Sequence, residues 1–89
     1  MSKSIETTDH QEIRSWIEER GGHPARVKGS GAGGILRVDF GEPEEALEEI
    51  SWDDFFEVFD KSRLSFLYQE ETSGGKTSRF NKFVSRTKH

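Results

Sequence analysis

The chain contains no cysteine, which excludes a disulfide framework, a thiol nucleophile and a thiolate zinc site. Hydrophobic residues make up only 30% of its 89 positions and mean hydropathy is -0.84. No apolar run approaches the length of a signal-peptide core or a membrane span, so the expectation is a soluble cytoplasmic protein with no membrane partner. Base is missing from one long stretch: between Glu42 and Asp60 the ionisable residues are Glu42, Glu44, Glu45, Glu48, Glu49, Asp53, Asp54, Glu57 and Asp60. Beyond it the sign reverses, with Lys61, Arg63, Lys76, Arg79, Lys82, Arg86 and Lys88 set against Glu70 and Glu71. A net charge of -4 argues against general affinity for nucleic acid, but this polarity leaves room for a local basic patch.

Aromatic residues are present at 11%, and disordered chains are poor in them. They organise the densest segment, Ile50 to Phe56. Ser51 can cap a helix, Asp54 stands three residues on where a capping-box acid belongs, and Ile50 and Phe55 occupy the hydrophobic-staple positions. Trp52, Phe55, Phe56 and Phe59 then recur at helical spacing, so the segment from Trp52 to about Lys61 is expected to bury one aromatic face. An earlier helix is expected from Asp9, with Glu12 completing a second capping box, Ile13, Trp16 and Ile17 forming its stripe, and Gly21-Gly22 stopping it.

Strand signals fill the rest. Ala25 to Lys28 alternates with Val27 inward and Arg26 and Lys28 outward, while Ile35 to Phe40 places Leu36, Val38 and Phe40 on one face. A glycine-rich loop, Gly29 to Gly34, joins the two. Leu64 to Gln69 is a third strand with Leu64, Phe66 and Tyr68 on one side, and Thr72 to Lys76 is a turn by composition. Ser78 to Ser85 has both helical spacing and the position of a hairpin partner, and is assigned as a strand. The order helix, hairpin, helix, hairpin predicts an α+β domain over residues 9–86, with residues 1–8 and 87–89 as flexible ends. The economical form is a mostly antiparallel four-stranded sheet with both helices on one face and the other face open. The two halves echo each other in order, although residue identity between them is too slight to claim a duplication.

Motifs for chemistry are weak. Gly29-Ser30-Gly31-Ala32-Gly33-Gly34 spells a dinucleotide fingerprint, but a strand follows where a helix should. Ser73 to Ser78 resembles the end of a P-loop, yet Glu70 occupies the position of its first glycine. His10, His23 and His89 have no ligand spacing, and no serine sits in a nucleophile elbow. The expectation is therefore no enzyme, no metal and no cofactor. The remaining candidate site combines cations and rings: Arg26, Lys28 and Arg37 from the first hairpin and Lys76, Arg79, Lys82 and Arg86 from the second, with Tyr68, Phe80 and Phe83 among the latter; Arg26, Lys28, Arg37, Arg79, Lys82 and Tyr68 are the residues expected to bind, whereas Phe80 and Val84 suit a core better.

Five segments, His23 to Lys28, Gly34 to Phe40, Ile50 to Phe56, Leu67 to Gln69 and Ser78 to Lys82, together resemble a family of short, uncharacterised bacterial proteins of about this length. Similar sequences sometimes carry the label 1,4-alpha-glucan branching enzyme. Branching enzymes hold their carboxylates on a barrel of roughly 250 residues, which this chain cannot contain. The resemblance implies a bacterial origin and a single domain and adds no catalytic residue. The leading expectation is a non-enzymatic binding or accessory module with a protein partner, acting through the open sheet face or the acidic helix. Nucleic-acid binding through the basic, aromatic face is the alternative, and glucan association through Trp16, Trp52 or Tyr68 is the remote one. A monomer or weak homodimer is expected.

Overall fold

The computed structural model describes residues 4–29, 34–41, 45–72 and 74–86. Its elements run β1 (Ser4–Thr7), α1 (His10–Glu19), β2 (Gly22–Val27), β3 (Leu36–Phe40), β4 (Leu47–Glu49), α2 (Trp52–Lys61), β5 (Leu64–Gln69) and β6 (Asn81–Ser85). The expected α+β class, both helices and both hairpins are present. The single four-stranded sheet is not: six strands form two antiparallel three-stranded sheets, ordered β1-β5-β6 and β3-β2-β4.

The difference comes from two short strands that sequence patterning does not reveal. Ser4–Thr7 lies in the segment expected to be a flexible end, yet it pairs with β5 from Ser4↔Gln69 to Thr7↔Phe66. Leu47–Glu49, within the acidic stretch, pairs with β2 from Val27↔Leu47 to Ala25↔Glu49. Both are edge strands too short to show an alternation of their own.

With these strands included the internal echo becomes a topological repeat. Each half is strand, helix, hairpin, and the leading strand of each half completes the sheet of the other. A constant offset of 42 positions separates the caps Asp9 and Ser51, the fully buried pairs Ile13/Phe55 and Ile17/Phe59, and the strand starts Gly22 and Leu64. Gly21 and Arg63, offset equally, both end their helices in the left-handed region, at φ 69° and 52°. The repeat lives in backbone and burial, not in residue identity.

Both helices begin as expected. The Asp9 carboxylate accepts from the Glu12 amide at 3.0 Å, and Ser51 Oγ accepts from the Asp54 amide at 3.1 Å. Only the first half of the α1 capping box forms, because the Glu12 carboxylate accepts from Thr7 Oγ1 and from the Tyr68 hydroxyl instead. The helices lie on the same side of both sheets. Ile13, Trp16, Ile17, Phe55 and Phe59 share one core with Leu36, Phe66 and Tyr68, and Val38, Phe40, Leu64 and Phe83 pack against it. Side by side, His10 stacks on Phe56 at 4.1 Å and the Arg14 guanidinium lies over Trp52 at 5.4 Å.

Pro24 sits inside β2 rather than before it. Its carbonyl accepts from the Ile50 amide, so its main chain turns toward the β4 side, just past the last β4 pair at Ala25↔Glu49. The bond proline cannot make is the return bond to Ile50 O, so the cost is confined to one bond at the very end of the β4 ladder. Every buried side-chain nitrogen and oxygen among the described residues has a hydrogen-bond partner. No helix among them is long and apolar enough to cross a membrane.

Candidate functional site

β3 and β6 are each an outer strand of their own sheet, and residues of both border one cleft. It has a volume of about 370 Å³ and is lined by Arg37 from β3 and Asn81, Lys82 and Phe83 from β6. At one end of this seam the Arg79 guanidinium lies 5.5 Å over the Phe40 ring. Phe40 meets Arg79 at that end while Arg37, earlier on β3, shares the cleft with Phe83, later on β6, so the two strands run in opposite directions along the seam. Arg37 and Lys82 are equivalent in the repeat: they are the second residues of β3 and β6.

Register fixes which way each side chain points. Arg37 stands opposite Ala25, and Lys82 opposite Leu67, both on the face away from the helices. Both are exposed. Asn81 and Phe83 stand opposite Tyr68 and Phe66, on the core side. The cleft thus has cations along its outer rim and an aromatic wall beneath. None of the described residues lining it carries negative charge.

Of the six residues expected to bind, the structure brings Arg37, Lys82 and Arg79 to this seam. The other three lie elsewhere. Arg26 is turned the opposite way from expectation: it stands across from Leu36 on the helix side, and its Nε donates to Glu48 Oε1 at 2.5 Å. It lines a second cleft of about 260 Å³ with Ile50, Asp54, Glu57 and Val58. Val27, expected inward, stands opposite Leu47 on the outer face. A four-residue alternation has two phases, and only the partner strands decide between them. Lys28 is exposed beyond the end of β2. Tyr68 is 3% exposed, and its hydroxyl donates to Glu12, so its ring cannot stack on a ligand. Burial pushes the Tyr68 phenol up, and the Glu12 carboxylate beside it pushes the same way.

Phe80 and Phe83 exchange their expected places. Phe80 is 44% exposed, whereas Phe83 packs against the core through Phe55, Phe59 and Phe66. Val84, also read as a core candidate, stands opposite Ser65 on the helix-free face. Asn81 and Phe40, which complete the seam, were not among the expected binding residues. Strand alternation around Lys82 would have placed Asn81 beside Phe83, but nothing in the sequence says that β3 and β6 lie side by side.

One buried cation shapes the seam without lining it. The Arg20 side chain is 4% exposed and donates to the carbonyls of Ser78 at 2.6 Å, Glu70 at 3.0 Å and Trp16 at 3.0 Å. Its guanidinium also stacks 4.2 Å over the Trp16 ring. It clamps the base of the β5–β6 hairpin, whose turn is closed by Thr72 N to Lys76 O and Gly75 N to Thr72 O. The P-loop-like residues are therefore a hairpin turn, apart from Ser73, which lies outside the described residues together with Ser30 to Gly33 of the other glycine motif. Among the described residues no three of His, Asp and Glu are grouped to hold a metal ion. Trp16 is 2% exposed with its indole N–H on Gln69 O, and Trp52 packs against Phe55 and Phe56 under Arg14. No protein-family model, curated protein or solved structure matches the chain.

Proposed function

We propose that the chain is a non-catalytic binding module that engages a protein partner on its helix-free side, centred on the seam between β3 and β6. The observation that carries this reading is the convergence of Arg37 and Lys82, from opposite halves of the chain, in one cleft with no acid among its described lining residues. Structural cations on this domain are paired: Arg26 with Glu48, Arg86 with Asp60 and Arg20 with three carbonyls. Two exposed cations beside two strand edges offer both charge and directional hydrogen bonds to a partner. A cytoplasmic location accords with the lack of cysteine.

The test compares immobilised wild-type protein with an Arg37→Glu/Lys82→Glu variant as bait in cell lysate, with Lys61→Glu as a charge control on α2. A partner retained by wild type and by the control but released by the double variant is the expected result; identical retention by all three refutes the reading. One observation favours nucleic acid as a second reading: exposed Phe80 is flanked by Arg79 and Lys82. Titration of labelled oligothymidine at low and high salt checks it, and salt-dependent affinity is its signature.

A further inference from the structure

The hydrogen-bonding direction of the two seam strands can be read from their flanks. Val27 N donates to Ile35 O, so Ile35, Arg37 and Asp39 turn their main-chain groups toward β2. Leu36, Val38 and Phe40 turn theirs away, toward the seam. On the other strand Gln69 N donates to Phe80 O and Arg86 N donates to Arg63 O, so Phe80, Lys82, Val84 and Arg86 face β5. Asn81, Phe83 and Ser85 then present their amides and carbonyls to the seam. The two edges are not equivalent, because Leu36 O already accepts from Arg37 Nη1 at 3.0 Å. The β6 edge is the more open template.

We infer that the seam accepts an extended acidic segment of a partner protein, which adds to the free edge of β6 as a further strand with acids and apolar residues in alternation. This inference rests on the binding-module reading and specifies the chemistry of its ligand. An added strand next to β6 points successive side chains to opposite faces. Those on the helix-free face meet Lys82 and, across the seam, Arg37. Carboxylates there are favoured by direct cross-strand pairing. The intervening side chains meet the core-side residues Phe83 and Val38, both packed against the buried cluster. Apolar residues are favoured there. Because β3 and β6 run oppositely, a chain antiparallel to β6 runs parallel to β3, as in mixed sheets.

A nucleic acid matches the seam less well. It has no amide and carbonyl row to pair with a strand edge, and Tyr68 is buried rather than available to stack.

The experiment is a fluorescence-anisotropy titration of the full chain with a fluorescein-labelled peptide of alternating glutamate and valine. Controls are the same composition with glutamates and valines in separate blocks, the alternating peptide with lysine for glutamate, the alternating peptide N-methylated at every second amide, and labelled oligothymidine. Only the unmodified alternating acidic peptide is expected to bind, and Arg37→Glu/Lys82→Glu, checked for native circular dichroism, should weaken it by about tenfold or more, a loss of two cross-strand charge pairs turned to repulsions. Chemical-shift changes should centre on Asn81 to Ser85. The inference is overturned by no binding of the alternating peptide, by equal binding of the blocked or methylated peptide, by undiminished binding to the charge-reversed variant, or by oligothymidine binding in its place. Failure here with charge-dependent capture intact in the bait experiment removes strand addition alone; failure of both removes the binding-module reading.

Discussion

Replacing Arg20 by lysine keeps the positive charge while removing the planar fork that reaches three carbonyls. Arginine Nε, Nη1 and Nη2 donate to Ser78 O, Trp16 O and Glu70 O at 2.6, 3.0 and 3.0 Å, from a side chain only 4% exposed. A lysine ammonium in the same space can hold one of these carbonyls well, so two charge-assisted bonds are lost. Such bonds contribute about 1.5–3 kcal/mol each, and partial rehydration of the exposed Glu70 carbonyl brings the total to the lower end of their sum or just below it. The expected cost is about 2–3 kcal/mol, against a total stability of roughly 4–13 kcal/mol for a chain of 89 residues. Urea denaturation followed by tryptophan fluorescence measures it, and with a slope of about 1 kcal/mol/M the midpoint should fall by roughly 2–3 M. Arg14→Lys, at a half-exposed i,i+4 pair with Glu18, supplies the baseline and should stay within about 0.5 kcal/mol. If Arg20→Lys behaves like Arg14→Lys, the clamp contributes nothing and the account of how the β5–β6 hairpin is held is wrong.

Two further outcomes follow from local geometry. A β-carbon added at Gly22 would meet Ile17 Cγ2 at 2.9 Å and the Phe40 ring at 3.0 and 3.1 Å, so Gly22→Ala should cost about 1–3 kcal/mol by overpacking, measured by thermal or urea unfolding. At Asp60, partial desolvation pushes the carboxyl up but is outweighed by hydrogen bonds and charge from His10 and Arg86, which hold it below the ordinary carboxylate value. A depressed folded value means the contribution is complete above the unfolded pKa and lost as pH falls through the folded one; Asp60→Asn should therefore converge with wild type in stability at low pH and lie slightly below it near neutrality, by at most about 1 kcal/mol for so exposed a group. Equal separation of the two proteins at every pH would contradict this.

What could be read from the sequence was what local chemistry writes. Asp9 and Ser51 announce helices because a cap needs only its own amides, and Ile13, Trp16, Ile17, Phe55 and Phe59 announce a core because helical spacing fixes a face. Leu64, Phe66 and Tyr68 lie on one face for the same reason, with a period of two. Pairing across the chain was not legible. Ser4–Thr7 and Leu47–Glu49 become strands only because β5 and β2 offer them edges, and the phase of Arg26 is settled by Leu36 and Glu48 rather than by its neighbours in sequence. The site was half legible for the same reason: the cations Arg37, Arg79 and Lys82 are visible as residues, while their meeting depends on two sheets being laid edge to edge.

That meeting is governed by the core more than by either sheet. Each helix carries the chain from one sheet to the other, α1 between β1 and β2 and α2 between β4 and β5. The two halves are therefore interlocked by strand exchange, yet β3 and β6 are not strand partners. What sets their separation is the layer beneath. Trp16 touches Phe40 of one sheet at 6.1 Å and Phe66 and Tyr68 of the other at 5.4 and 5.5 Å, so one ring spans the gap. The same ring lies under Arg20, which fixes Ser78 immediately before Arg79. A cleft supported this way stays open because closing it would require a buried indole to leave contacts on both sides, and close-packed interiors resist such displacement. The free edges at the seam are thus a product of how the halves interlock: each half gives its first strand away, and the last strand of each is left with one side unpaired.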